Sequence, residues 1–501
     1  VPWHPPKPTS WPTVVLGRDL PHGTDDQESE IPAPARSLTR TPIEFLALLL
    51  TGVFVSRVFV AEAYIVPTGS MATTLLGAHR DLFCPNCDLR FALGLDEHGQ
   101  PEGRPVCPNC GHATLDEARA VDSPGDRLLV HKHTFAWRPP RRWEVAVFHG
   151  PGPDSESFVK RVVGLPGESV EIRDGDLWID GAIARKSLAE SRALRVLVHD
   201  DDHRPADRAL YPRWLPRSNA RSDVGPSGWE ETESGYARSP RTADGSTDWL
   251  EYQHWEPDTL RPGPIRDFVG YNGASRGGDQ IVHDLILEFQ VAAGSDCDRI
   301  ELAVDSGRGR FEIALPVDGR GDPSVRLDDR PLDVPAAGAA LASSPADSPR
   351  WATVEASVVD CRLLVAIDGR LAFAPVDLNP TGPPPARSAR LAIGVANGSA
   401  RIRHLKVFRD VYYTERLDGS MRPAHGVGSP CRLGPGEYFV LGDNSPVSND
   451  SRFWRDGPVV PADALVGRPF LVHVPSAVIP IRLFGRELFW IPDPREIRYI
   501  R

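Results

Sequence analysis

The sequence predicts a mainly β protein built of several modules behind one N-terminal apolar helix. Three observations carry that class. Short alternating or β-branched runs, broken by Gly and Pro, recur over most of the 501 residues. One uncharged apolar run stands out, Phe45 to Ser56, between Glu44 and Arg57. Two Cys-x-x-Cys knuckles interrupt the first β-rich stretch. The length calls for more than one core. At 41% hydrophobic and 25% charged the composition is globular, and the formal charge of −11 argues against nucleic acid as a partner.

In chain order, residues 1–41 are rich in Pro, Ser, Thr and charge without a period, and read as a disordered tail. The chain begins with Val1, which fits an alternative start codon read literally or a missing N-terminus. Residues 42–62 are expected to be a transmembrane anchor. The uncharged run is shorter than the roughly 20 residues a span needs, so Glu44 and Arg57 would sit near the two interfaces. A buried helix of a soluble domain is the alternative. Residues 63–189 and 412–475 form one β core, with strands expected at Arg127–His131, Glu144–Phe148 and Ser157–Val163. Residues 79–122 are a cysteine-bearing insert, and the polar, Trp- and Pro-rich residues 190–266 read as a loop-rich connection. Residues 267–411 return to alternation, with strands expected at Asp284–Ala293, Arg299–Asp305, Arg310–Pro316, Ala352–Val359, Arg362–Asp368, Ala389–Ala396 and Ala400–Val407. That density predicts an inserted β-sandwich. Its last strand, with Ile402, Leu405, Val407, Phe408 and Val411, resembles that of lectin-like or laminin-G-like jelly rolls. Residues 476–501 are a C-terminal segment.

The basic residues are lopsided. Only Lys7, Lys132, Lys160, Lys186 and Lys406 are lysines among 57 basic residues. A lysine kept in such a chain marks a position where a neutral amine can be required, because guanidinium does not deprotonate in proteins.

Five blocks carry the chemistry. The apolar run is followed by Tyr-Ile-Val-Pro-Thr-Gly-Ser-Met-Ala-Thr-Thr-Leu (64–75) and Gly-Asp-Arg-Leu-Leu-Val-His-Lys (125–132). Then come Phe-Val-Lys-Arg-Val-Val-Gly-Leu-Pro-Gly (158–167) and Leu-Gly-Asp-Asn-Ser-Pro-Val-Ser-Asn-Asp-Ser-Arg (441–452). In kind and order these resemble the type I signal peptidases, membrane-bound serine/lysine peptidases, over about a third of the chain. The resemblance implies Ser70 as nucleophile and Lys160 as general base, with Thr68 in the oxyanion hole and Ser448 orienting the lysine amine. Asp450 and Arg452 would brace their loop as an ion pair, and Asp443 and Asn444 would shape its turn. Val66, Met71, Leu75, Phe158 and Val159 would line shallow apolar pockets for the small residues of an Ala-x-Ala cleavage site. Thr73 departs from the family, which has proline there.

Lys160 suits the role by its setting. A lysine near pKa 10.4 stays protonated at neutral pH, and burial among Phe158, Val159, Val162 and Val163 would lower it. Strand alternation would turn Arg161 to the solvent.

Cys84, Cys87, Cys107 and Cys110 have the spacing of a four-thiolate zinc ribbon, with zinc structural and no cofactor needed for catalysis. Disulfides or a redox pair remain the alternative in an oxidising space. His112 is not needed as a ligand, and Cys297, Cys361 and Cys431 are expected buried or unpaired. The expected partners are signal peptides of exported preproteins and the lipid bilayer, with an unidentified ligand left open for the sandwich. The family topology implies a single-pass protein of the plasma (inner) membrane, catalytic on the outer or periplasmic face. The rival functions are a self-cleaving serine/lysine repressor-type peptidase and a cell-surface binding protein with a vestigial core.

Overall fold

The strands that carry the Ser-Met and Lys-Arg blocks meet in one sheet. The computed structural model describes residues 40–59, 61–96, 98–101, 103, 105–113, 120–150, 156–207, 212–217, 227–239, 247–257, 259–267, 280–306, 308–379, 390–413, 425–483 and 486–500. The tail expected over 1–41 lies almost wholly outside them. The fold is mainly β, as predicted.

The first sheet has eight strands. Its order runs Ala61–Ile65, Arg127–His131, Leu465–Val474, Val145–His149, Ser157–Gly164, Glu437–Leu441 and Val460–Pro461, with Arg498–Tyr499 added beside Leu465–Val474. Chain segments more than 270 residues apart in sequence thus become neighbours, since Glu437–Leu441 pairs with Ser157–Gly164. A smaller sheet of Ala182–Ile183, Asp176–Ile179, Ser169–Arg173 and Cys431–Arg432 joins the same two parts of the chain again. The C-terminal segment is not a mere extension, because Arg498–Tyr499 closes onto the core sheet.

A second module consists of a nine-stranded and a seven-stranded sheet. One hydrophobic cluster is shared between them, with Phe289, Val354 and Val407 from one and Leu302, Phe311 and Ile393 from the other. Two sheets packed on one inner layer is how alternating strands bury their apolar faces. Arg299–Asp305, Arg310–Pro316 and Ala352–Val359 form with the bounds the alternation predicted.

The loop-rich connection expected over 190–266 is corrected by the structure. Val196–Asp200 and Gly235–Arg238 pair with Ala400–Arg409, and Thr247–Tyr252 pairs with Leu391–Ala396. Trp214, Trp229, Tyr236 and Tyr252 sit in the module's core. The scatter of Arg, Asp and Pro hid these strands because each is short and carries charged residues such as Arg238 and Asp248, which are buried as an ion pair.

A helix forms at Arg40–Phe59, where an anchor was expected over 42–62. Its Phe45, Leu48 and Leu50 are exposed. Among the described residues no helix is long and apolar enough to cross a membrane.

Candidate active site

Ser70 lies in a tight turn, Gly69–Met71, entered from the extended Thr68. The turn is pinned from below. Val66, Met71 and Leu75 are fully buried in one cluster with Leu128, Val130, Val145 and Val147, against which Tyr64 and Val159 pack. It is also pinned from the side by Asp126, which is wholly buried. The Asp126 carboxylate accepts from Leu76 N at 3.0 Å, from Ser476 N and Oγ at 2.9 and 2.8 Å, and from Arg498 Nη2 at 2.7 Å. Val66 N donates to Asp126 O. Gly125 has φ +102, and a Cβ there would lie 2.2 Å from Val66 O. The Gly-Asp block is therefore the brace of the serine turn, a role its sequence alone did not disclose.

Lys160 comes from the Ser157–Gly164 strand, paired with Ala146. Its Nζ is 2.5 Å from Ser70 Oγ, across 90 positions of sequence. Thr68 Oγ1 donates to Ser70 Oγ at 3.4 Å. Lys160 is only 3% exposed, and among the described residues no carboxylate lies within ion-pair distance of it. Burial brings its pKa down to about 8; Asp450 opposes this, Arg452 assists it, and Asp443 opposes it weakly.

The nearest charges are already spent on one another. Arg452 Nε and Nη2 donate to the two Asp450 oxygens at 2.9 and 2.8 Å, and Gly442 N donates to Asp450 Oδ2. Although burial works against it, Arg452 holds Asp450 below the usual carboxylate range. Arg452 also donates to Ser445 Oγ and O. Asp450 and Arg452 thus form a buried ion pair within their loop.

Arg161 is a correction. Alternation predicted a solvent-facing side chain, yet it is fully buried. The strand is covered on both faces beyond Val159. Asp443 supplies the compensation, accepting Nε at 2.8 Å and Nη2 at 2.6 Å, while Trp143 O accepts Nη1. Asp443 does more than shape a turn: it neutralises the cation next to Lys160. Asn444 likewise reaches the turn of Ser70, donating from N to Ser70 O at 3.1 Å and from Nδ2 to Gly69 O at 3.0 Å.

Ser448 is fully buried beside these groups. Its expected bond to the lysine amine does not form; its hydroxyl has no hydrogen-bond partner among the described residues. A Cβ on Gly442 would meet Ser448 Oγ at 2.2 Å and Ser70 O at 2.4 Å. The absence of a side chain at 442 is what lets the two serines come this close.

The five expected pocket residues divide. Val66, Met71, Leu75 and Val159 share one cluster, whereas Phe158 packs with Phe148 in another, their rings 6.2 Å apart. Glu437–Leu441 pairs with the Ser157–Gly164 strand only from Arg161 onward. Residues 157–160 therefore keep one edge unpaired among the described strands, as does Ala61–Ile65 at the end of the sheet.

The cysteines assemble as their spacing predicted. Cys84 Sγ is 3.5 Å from Cys110 Sγ and Cys87 Sγ 3.6 Å from Cys107 Sγ, and all four lie within 4.8 Å of one another. These separations are far beyond an S–S bond of about 2.05 Å. They are near the roughly 3.8 Å edge of a sulfur tetrahedron around zinc. Leu89 and Phe91 pack around the thiols. The four can hold a metal. The knuckles lean on the two-sheet module: Asn109 Nδ2 donates to Asp200 O and His203 O, and Ala206 N donates to Asn86 O. Cys297, Cys361 and Cys431 are free.

The family model described as "Signal peptidase, peptidase S26" matches residues 119–219 and 406–474. The chain resembles the type I signal peptidases. The matched signal-peptidase segments contain Lys160, Asp443, Ser448, Asp450 and Arg452 and flank the rest of the two-sheet module; Ser70 and Thr68 lie before them. Signal peptidase I of Leptolyngbya laminosa is 38% identical over 73 residues, 13% of this chain and 36% of that protein. A probable signal peptidase I-1 of Synechocystis is 41% identical over 64 residues, 11% and 33%. Signal peptidase I V of Bacillus subtilis is 37% identical over 66 residues, 13% and 36%. The chain spans about a third of the length of these curated relatives. A solved carbohydrate-binding module from Bacillus subtilis aligns with 39% of this chain and 94% of its own at a TM-score of 0.22 and 10% identity.

Proposed function

We propose that the chain is a signal peptidase I that cleaves exported preproteins after small residues, with Ser70 as nucleophile and Lys160 as general base. The observation that carries this is a buried amine, without a carboxylate partner among the described residues, 2.5 Å from a serine hydroxyl. At neutral pH part of the Lys160 population is neutral and accepts the Ser70 proton as Oγ attacks the scissile carbonyl. The ammonium then protonates the leaving amine, and a water repeats the cycle on the ester. Ser70 N and the Thr68 hydroxyl are the donors assigned to the oxyanion. The orphan hydroxyl of Ser448 is the group assigned to steer the amine once it lets go of Ser70.

The substrate backbone is assigned to the two unpaired edges, residues 157–160 and 61–65, as an added strand. Val66, Met71, Leu75 and Val159 would form the apolar floor under small side chains. Cys84, Cys87, Cys107 and Cys110 would hold a structural zinc, a ribbon inserted in the core, and the two-sheet module is the inserted sandwich. We assign the Arg40–Phe59 helix, whose Phe45, Leu48 and Leu50 are exposed, to the lipid of the plasma membrane, with catalysis on its outer face. The intact dyad disfavours a binding protein with a vestigial core.

The test is processing of a preprotein with an Ala-x-Ala site. Ser70→Ala and Lys160→Ala variants are expected to lose cleavage while remaining folded. Undiminished processing by either would refute the dyad. Zinc at one equivalent per chain in reduced protein, lost in Cys107→Ser, checks the ribbon separately.

A further inference from the structure

Arg213 stands apart from the arginines that this chain pairs with acids. It is 6% exposed, and its guanidinium donates to two carbonyls, Trp255 O from Nη1 and Asn109 O from Nη2, each at 3.1 Å. Among the described residues no carboxylate lies within ion-pair distance of it. Asp200 and Asp201, at the end of the strand that Asn109 grips, are taken by Lys406 and Arg204. Carbonyls satisfy N–H groups but bring no net charge, and a cation buried on neutral acceptors alone is costly.

The missing anion lies beside it. Asn109 belongs to the Cys107–Cys110 knuckle, and all four thiols are buried. Burial pushes the Arg213 pKa down, while Tyr252 and then Cys110, Cys107 and Cys87 pull it up, so three of the four sulfurs are within electrostatic reach. Four thiolates around a divalent ion carry a formal excess of two negative charges, and that excess needs compensation where water is excluded. Asn86 Nδ2 donates to Cys110 Sγ at 3.7 Å, but an amide brings no net charge either. The thiol site and the guanidinium each hold what the other lacks.

The two belong to different modules. Arg213 is rooted in the two-sheet module, where Gln253 N donates to its O at 2.7 Å and the next residue, Trp214, is wholly buried in the core. The thiols belong to the insert, whose base stands beside the serine turn. There Ala78 N donates to Pro67 O, and a Cβ on Gly77 would lie 2.2 Å from Thr68 C.

We propose that Arg213 is the counter-ion of the metal-loaded thiolates, so that zinc in the four cysteines fastens the insert to the two-sheet module. This rests on the structural zinc assigned above. Arginine suits the place because its planar fork reaches both carbonyls at once and its charge is more weakly hydrated than an ammonium. Without zinc the guanidinium keeps its carbonyls and loses its anion, and the seam is weaker.

The test is zinc competition against a chromogenic chelator on the reduced full chain, with Tm measured in the presence and absence of zinc. Arg213→Gln keeps an amide donor and removes the charge, and should weaken zinc binding at least about tenfold. Arg213→Lys keeps the charge and should lose less. The Tm lost on Arg213→Gln should be larger with zinc than without it, which a role in packing or carbonyl bonding alone would not produce. Equal zinc affinity in wild type and Arg213→Gln, or an equal loss of Tm with and without zinc, would overturn the inference alone. A wild type that binds no zinc would overturn the zinc assignment and this inference with it.

Discussion

Two lysines of this chain are equally buried and chemically opposite. Lys160 and Lys186 are each 3% exposed. Burial lowers Lys160 to about 8, because the carboxylate nearest it is already taken by Arg452. Burial also works against the charge on Lys186, but Asp360 and then Asp410 overcome it and hold the ammonium well above its ordinary range. Trp143 adds its ring face 4.5 Å from Lys186 Nζ. Burial alone therefore does not make a base. In the proposed dyad, what makes one is burial beside carboxylates whose charge has been spent elsewhere, with a hydroxyl in reach.

The contrast can be broken in order of expected effect. Lys160→Met should abolish cleavage, with kcat/KM falling on the order of 10⁴-fold or more, because base and nucleophile act as a unit. Stability should hold or rise, since a buried amine without a counter-ion is replaced by an apolar chain of similar length. Lys186→Met should do the reverse. It leaves Asp360 and Asp410 without their cation and should cost about 3–5 kcal/mol in denaturant unfolding, with the Ser70–Lys160 contact untouched. Gly442→Ala should slow turnover about a hundredfold at little change in KM, by pushing a methyl between Ser448 and the Ser70 carbonyl. The pH profile gives the smallest effect per step. In the proposed mechanism the working form is the neutral amine, so kcat/KM should fall about tenfold per pH unit below about 8 and level off above it. A rate that falls with rising pH across that range would mean the ammonium is the working form.

Much of the site was legible because its parts are residue types with few substitutes. A lysine in an arginine-rich chain, a serine after a strand and two Cys-x-x-Cys pairs each announce chemistry that their neighbours cannot supply. Arg161 was misread because alternation assumes one wet face, and nothing in the Ser157–Gly164 sequence says that Asp443 arrives on the other side. Gly125, Asp126 and Gly442 stood in recognisable blocks, yet their tasks are defined by segments hundreds of residues away, Ser476 and Ser70 among them. The strands within 190–266 were missed for a similar reason. Short strands rich in Trp, Arg and Asp show no period by themselves, and only pairing with Ala400–Arg409 and Leu391–Ala396 completes them.

The scarcity of lysine makes the central claim measurable. With five lysines, protein labelled with ¹³C at the lysine ε-carbon gives few resonances, and Lys160→Arg and Lys186→Arg variants assign two of them. A pH titration of the folded full chain should show the Lys160 signal moving with a midpoint near 8, while the Lys186 signal stays protonated past the ordinary lysine range. A Lys160 midpoint at or above that ordinary range would contradict the account, because the amine beside Ser70 would then be an ammonium at working pH.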